Sequence, residues 1–212
     1  RESMQEVIAQ PNQFLFGAKP AIFSTALALV TPVPKDTPSG KGWSCAHLII
    51  DDTPGSGKTA LLTYISAAIK AKFSRMDGGP DLMPSDLKGR EEKDRFSGIR
   101  TLLKGPLHSN IFNLDEINKT PPKAYAPLHS AMEGGTVYMN VTNEKEGRID
   151  SVPFPLYPIS DDPDELRRFF IVVATMNPLD FEGTYPLSEA LKERVTFKFD
   201  MGAASREEEM MI

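Results

Sequence analysis

Residues 53–59 read Thr53-Pro54-Gly55-Ser56-Gly57-Lys58-Thr59, and their types and spacing suit a polyphosphate. Glycines at the bends let successive backbone N–H groups converge on phosphate oxygens. Lys58 can reach the outer phosphates of a triphosphate, and the Thr59 hydroxyl can ligate Mg²⁺. Ala60 continues into a first helical turn, whose positive end adds to the anion site. ATP with Mg²⁺ is the ligand this pattern calls for. A chance glycine turn between a strand and a helix is the competing reading. The usual pattern opens on a glycine at the place held here by Asp52. A carboxylate there is expected to weaken binding of a polyanion modestly.

A second polar group follows the apolar run 111–114, where Asp115 and Glu116 stand side by side. An aspartate at a strand end can hold Mg²⁺, directly or through water. Its glutamate neighbour can polarise an attacking water as a general base. An acidic turn capping the next helix has the same composition. Asn177 follows the apolar run 169–174; its amide could orient the lytic water or touch the γ-phosphate, and Asn-Pro is equally an ordinary turn pair. Arg194 ends a short helical stretch. It could be a finger reaching a neighbouring subunit's phosphate, yet by residue type alone it reads as a partner of the helix dipole. The histidines, 47, 108 and 129, share no metal-ligand spacing.

These residues need a scaffold that brings strand ends together. The run 47–50 is a short strand, followed by the glycine loop and by Leu61, Ile65, Ala68 and Ile69 at helical spacing. Residues 1–15 read as a loose lead-in, 21–30 as a helix, and the proline-rich 31–42 as a loop. Residues 77–104 form a polar, glycine-rich segment. Thr120 is expected to cap a helix beginning at Pro121, which Pro127 should kink or shorten. Residues 136–141 and 149–157 form the arms of a hairpin. The run 169–174 lacks alternation, as in a strand buried on both faces. A short helix over 188–194 precedes a half-exposed strand at 195–199, and 205–208 has capping-box spacing. Strands alternating with helices predict an α/β chain with a mostly parallel sheet.

Composition narrows the function classes. With 212 residues and 40% hydrophobic content, the chain can bury a sizeable core. A single cysteine, Cys45, excludes an internal disulfide framework. The net charge of −5 makes a general nucleic-acid binder a poor fit. No apolar stretch approaches the ~20 residues of a membrane span, so a cytoplasmic protein is expected. The first residue is Arg1 rather than Met, so a processed or partial product is expected.

Beyond single motifs, the chain resembles the MoxR family of AAA+ ATPases. The resemblance runs from about Phe16 to Met211 and keeps the family's motif order. It rests on the phosphate loop, Pro80-Asp81-Leu82-Met83-Pro84-Ser85-Asp86-Leu87-Lys88-Gly89, Lys104-Gly105-Pro106, Asp115-Glu116-Ile117-Asn118-Lys119 (similar to a Walker B region), Ala174-Thr175-Met176-Asn177-Pro178 (similar to sensor 1) and Glu182-Gly183-Thr184-Tyr185-Pro186. It implies a P-loop NTPase fold of the AAA+ type, a three-layer sandwich with an inserted β-hairpin. It assigns 16–202 to the large α/β subdomain and 203–212 to the start of a helical lid. It implies ATP hydrolysis in a homo-oligomeric ring, commonly a hexamer, with Arg194 as the finger. Partners would be a protein client and a von Willebrand A-type protein, in remodelling or chaperone-type work. A nucleotide-sensing module with little hydrolysis and a nucleic-acid-remodelling ATPase are the alternatives.

Overall fold

The computed structural model describes residues 25, 28, 31–37, 40–51, 58–156, 169–176 and 184–200, with backbone alone for 32, 34–37, 40–45, 58, 61 and 200. Its centre is built from short apolar runs lying side by side. Strands β1 (Pro32–Thr37), β2 (Gly40–Cys45) and β3 (Leu48–Asp51) lead into helix α1 (Lys58–Ala68) and strand β4 (Phe73–Asp77). Helix α2 (Pro84–Lys88), strands β5 (Gly89–Lys93), β6 (Arg100–Lys104) and β7 (Ile111–Asp115) come next. Two 3₁₀ turns precede α3 (Ala126–Gly134), β8 (Thr136–Asn143) and β9 (Arg148–Pro155). β10 (Ile171–Met176), α4 (Glu189–Lys192) and β11 (Phe197–Asp200) complete the described elements.

Five strands form one parallel sheet in the order β11-β3-β10-β7-β4. All six residues of β10 are buried, which is why this run shows no alternation: helices cover both faces. On one face Leu48, Ile50, Ile111, Ile171 and Val173 pack with Leu62 of α1. On the other, Phe112, Leu114, Val172 and Ala174 pack with Leu128 and Met132 of α3. Successive residues alternate between these layers, so Asp115 and Thr175 fall on the α1 face. The expected α/β three-layer architecture, with its hairpin β8–β9, is the one observed. No helix among the described residues is long and apolar enough to cross a membrane.

The structure corrects several local readings. Residues 31–42, expected as a loop, contribute to the antiparallel pair β1–β2. Pro32 and Pro34 are tolerated because, among the described residues, β1 pairs with β2 alone, leaving one edge with no ladder to supply. Segment 77–104 holds the end of β4, helix α2 and the antiparallel hairpin β5–β6. Thr120 does not cap an α-helix. It closes a 3₁₀ turn (Ile117–Lys119), and Pro121 precedes a second (Pro122–Tyr125). Tyr125 fixes this stretch by donating its hydroxyl to the Ile117 and Thr120 carbonyls at 2.6 and 3.0 Å. Burial pushes that phenol far above its usual range. Pro127 falls in the first turn of α3, so it starts the helix rather than kinking it. The helix expected over 21–30 lies mostly outside the described residues, although Thr25 and Ala28 are helical and buried.

The two hairpins are tied together. Glu91 on β5 accepts hydrogen bonds from the Thr142 hydroxyl at 2.5 Å and amide at 3.2 Å, and pairs with Arg100 at 3.2 Å. Those Thr142 bonds hold the Glu91 carboxyl below the usual carboxylate range. At the β5–β6 tip Phe96 is fully exposed.

Candidate nucleotide site

All five sheet strands end at the same edge, so their last residues meet there. The register sets Asp51 beside Met176 and Asp200, and Asp77 beside Asp115. In open parallel sheets this carboxyl edge is where ligands bind. α1 begins here, after β3, and carries no acidic residue in its first turn. Within that described turn no acidic side chain offsets its positive end. Thr59 is half-buried in that turn and its carbonyl accepts the Thr63 hydroxyl at 2.9 Å. Ala60 beside it is exposed.

Asp115 ends β7 two strand spacings from β3, about 10 Å across the sheet. Its Oδ1 accepts a close hydrogen bond from Thr175 Oγ1. Thr175 is buried on β10, and its oxygen accepts the Glu116 amide at 3.1 Å. One hydroxyl thus positions both acidic residues. Glu116 then turns the chain sharply, with φ 51° and ψ 47° in the left-handed region. Such a backbone costs a non-glycine residue on the order of 1 kcal/mol or more and persists only when neighbours over-determine it. Its carboxylate pairs with Lys119 at 2.9 Å.

Gly78 supplies the close approach beneath this turn. Its amide donates to the Asp115 carbonyl at 2.6 Å. A Cβ at residue 78 would overlap the Glu116 carbonyl oxygen and lie 2.6 Å from Thr120 Oγ1. Gly78→Ala is therefore expected to push the Asp115–Glu116 turn away, costing about 1–3 kcal/mol of stability. A denaturant unfolding curve measures this; an unchanged midpoint would mean the turn is free to move.

Arg194 lies elsewhere. It precedes β11, whose Phe197 pairs with Leu48, and Thr196 N donates to the His47 carbonyl at 2.8 Å. That is the amino edge of the sheet, opposite Asp115. Its guanidinium bonds closely to Glu133 and donates to the Ala190 carbonyl at 2.5 Å. Nearby His129 is held below its usual pKa by burial and by Arg194. His47 is structural in its contacts: Nδ1 accepts the Val172 amide at 3.1 Å, and Nε2 meets the Met132 carbonyl at 3.2 Å.

The structure thus brings Asp115 and Glu116 together at the edge where Thr59 and Ala60 begin α1, and sets Arg194 apart. Thr53, Pro54, Gly55, Ser56, Gly57, Asp52 and Asn177 lie outside the described residues, and of Lys58 only the backbone is described. Two residues were not assigned a role from sequence. Thr175 is the one hydroxyl in an apolar strand, a visible signal whose meaning needs the register. Arg75 of β4 donates to Asp115 Oδ2 at 2.8 Å and to Asp77 Oδ1 at 2.6 Å. The donor set suits Mg²⁺ chemically: a hydroxyl and a carboxylate are hard oxygen ligands, and Mg²⁺ commonly takes one or two carboxylates plus substrate phosphates. Among the described residues there is no cluster of three or more metal-ligating side chains.

Comparison with known proteins agrees with this fold. Residues 47–152 and 157–197 match the ATPase family associated with various cellular activities (AAA). The chaperone MoxR1 of Mycobacterium tuberculosis is 34% identical over 176 residues, 80% of this chain and 40% of its own. The chain belongs to the MoxR-type AAA ATPases. YeaC of Bacillus subtilis, an uncharacterized protein, is 37% identical over 77% of this chain and 45% of its own. The Holliday junction branch migration subunit RuvB of Solibacter usitatus is 26% identical over 77% and 46%. The crystal structure of a candidate ATPase from Cytophaga hutchinsonii superposes with a TM-score of 0.71 at 28% identity, over 98% of this chain and 53% of that one. This AAA chain spans less than half the length of those curated relatives.

Proposed function

We propose that the chain binds Mg²⁺-ATP at 53–60 and hydrolyses it within a homo-oligomeric, hexameric ring that remodels a protein client in the cytoplasm. The observation that carries this reading is the Asp115–Thr175–Glu116 arrangement at the carboxyl edge, beside the start of α1. Thr59 and Asp115 would hold the metal, which screens phosphate charge and orients the outer phosphates. Lys58 contacts those phosphates, and the loop amides cradle them. Glu116, released from Lys119, takes the proton of the attacking water, with Asn177 orienting that water. Arg194, at the amino edge, lies away from its own subunit's site, and in the proposed ring it would act on a neighbour's. The linked hairpins, with exposed Phe96 and Ile149, are the surfaces offered to the client. A von Willebrand A-type protein is the expected partner, by analogy with the family.

A second reading, nucleotide sensing with little hydrolysis, is favoured by one observation: Asp115 is paired with Arg75, and Glu116 with Lys119. Phosphate release from ATP, measured with and without a partner protein, separates the two. Turnover at catalytic rates supports hydrolysis; tight binding with no release under either condition supports sensing. Nucleic-acid remodelling, the activity class in RuvB's name, would show as salt-dependent binding to DNA.

A further inference from the structure

We propose that Arg75 is an exchangeable counter-ion of Asp115, which holds this carboxylate in the nucleotide-free protein and withdraws to Asp77 when Mg²⁺-nucleotide binds. The inference rests on the nucleotide-site reading above and adds a residue that controls its metal step.

Strand geometry creates the need for such a group. Asp77 and Asp115 are register partners at adjacent strand ends, with Cα atoms about 5 Å apart. Two carboxylates so placed repel each other. Arg75, two residues before Asp77, emerges on the same face of β4. One nitrogen, Nη2, bridges both carboxylates at 2.6 and 2.8 Å. The burial of the three side chains is graded: 16% exposed for Asp115, 43% for Arg75 and 69% for Asp77.

That gradient decides which bond yields. Asp115 Oδ1 is held by Thr175, which is buried and whose oxygen is also engaged with the Glu116 amide. Oδ2 is held by Arg75, which is half exposed and already bonded to a second acceptor. A divalent cation beside Asp115 repels a guanidinium at contact distance. Arg75 can leave without losing its ion pair, because Asp77 keeps it. Until then it supplies the positive charge that Asp115 needs, so free metal gains little by binding alone. The acidic residue at the end of β4 thereby sets how readily the site accepts Mg²⁺ with its nucleotide.

A double-mutant cycle tests this, reading the Mg²⁺ concentration that gives half-maximal binding of a fluorescent ATP analogue. Arg75→Gln should lower that concentration roughly 3–5-fold, the scale of a partly exposed ion pair. Asp77→Asn should raise it by a similar factor, because Arg75 loses its alternative acceptor. Asp77→Asn should have little further effect when Arg75 is already Gln, since Asp77 acts through Arg75. Analogue affinity in excess EDTA should be the same in all four proteins. Equal Asp77→Asn shifts in both backgrounds would reduce the pair to independent surface charges and overturn the proposal. So would a loss of EDTA-phase affinity in Arg75→Gln, which would make Arg75 a phosphate contact. If the unaltered protein binds no analogue at any Mg²⁺ concentration, the nucleotide-site reading itself falls. The variants failing to shift while the parent binds normally would sink only the role of Arg75.

Discussion

Arg194→Ala is expected to lower ATP turnover by roughly 10³-fold or more in the assembled ring while leaving ATP affinity near that of the parent. The magnitude is that of a guanidinium that stabilises transferring phosphoryl charge. The sparing of affinity follows from position: Arg194 lies at the amino edge, away from the Asp115 edge proposed to bind nucleotide. Its present partners, Glu133 and the Ala190 carbonyl, tie α4 to α3, so a small stability loss accompanies the change. Mixing Arg194→Ala subunits with Glu116→Gln subunits is the decisive control. Mixed rings should regain activity at sites that combine an intact Glu116 with a neighbour's intact Arg194. Mixtures that never regain activity would return Arg194 to a structural role.

Glu116→Gln should slow hydrolysis by about 10²–10⁴-fold with ATP still bound, since it removes the general base and leaves Asp115 in place. The amide is isosteric, so the left-handed turn and the Thr175 bond should survive. The pairing with Lys119 is lost, but a half-exposed ion pair contributes at most about 1 kcal/mol. Single-turnover phosphate release with parallel nucleotide binding reads both quantities. Parent-like turnover would move the base to another residue.

How far the sequence led depended on where each residue sits in the sheet. β7 and β10 were legible because a parallel strand covered on both faces stays largely apolar, interrupted in β7 by Asn113 alone before Asp115 and unbroken over 171–174 in β10. β4 was not legible. As an edge strand its sequence, Phe-Ser-Arg-Met-Asp, is half polar and resembles a loop, and with it Arg75 went unassigned. The β1–β2 hairpin was hidden by prolines that only an edge tolerates. Asp115 and Glu116 stood out by type, but the Thr175 hydroxyl that positions both depends on the register of β10 between β3 and β7, which spacing within one strand does not carry. Likewise Arg194 was visible as a residue, while its distance from Asp115 came from the direction of β11.

Residues 53–60 are proposed to grip the phosphates of ATP. Calorimetric titration of Mg²⁺-ATP into the parent protein and into Lys58→Ala tests it most directly. Removing a cation from phosphates it directly contacts costs about 2–5 kcal/mol, or roughly 30-fold or more in affinity. Saturable binding by the parent, one nucleotide per chain, and a loss of at least that size in the variant are expected. Equal affinity in the two proteins, or no binding by the parent, would contradict it.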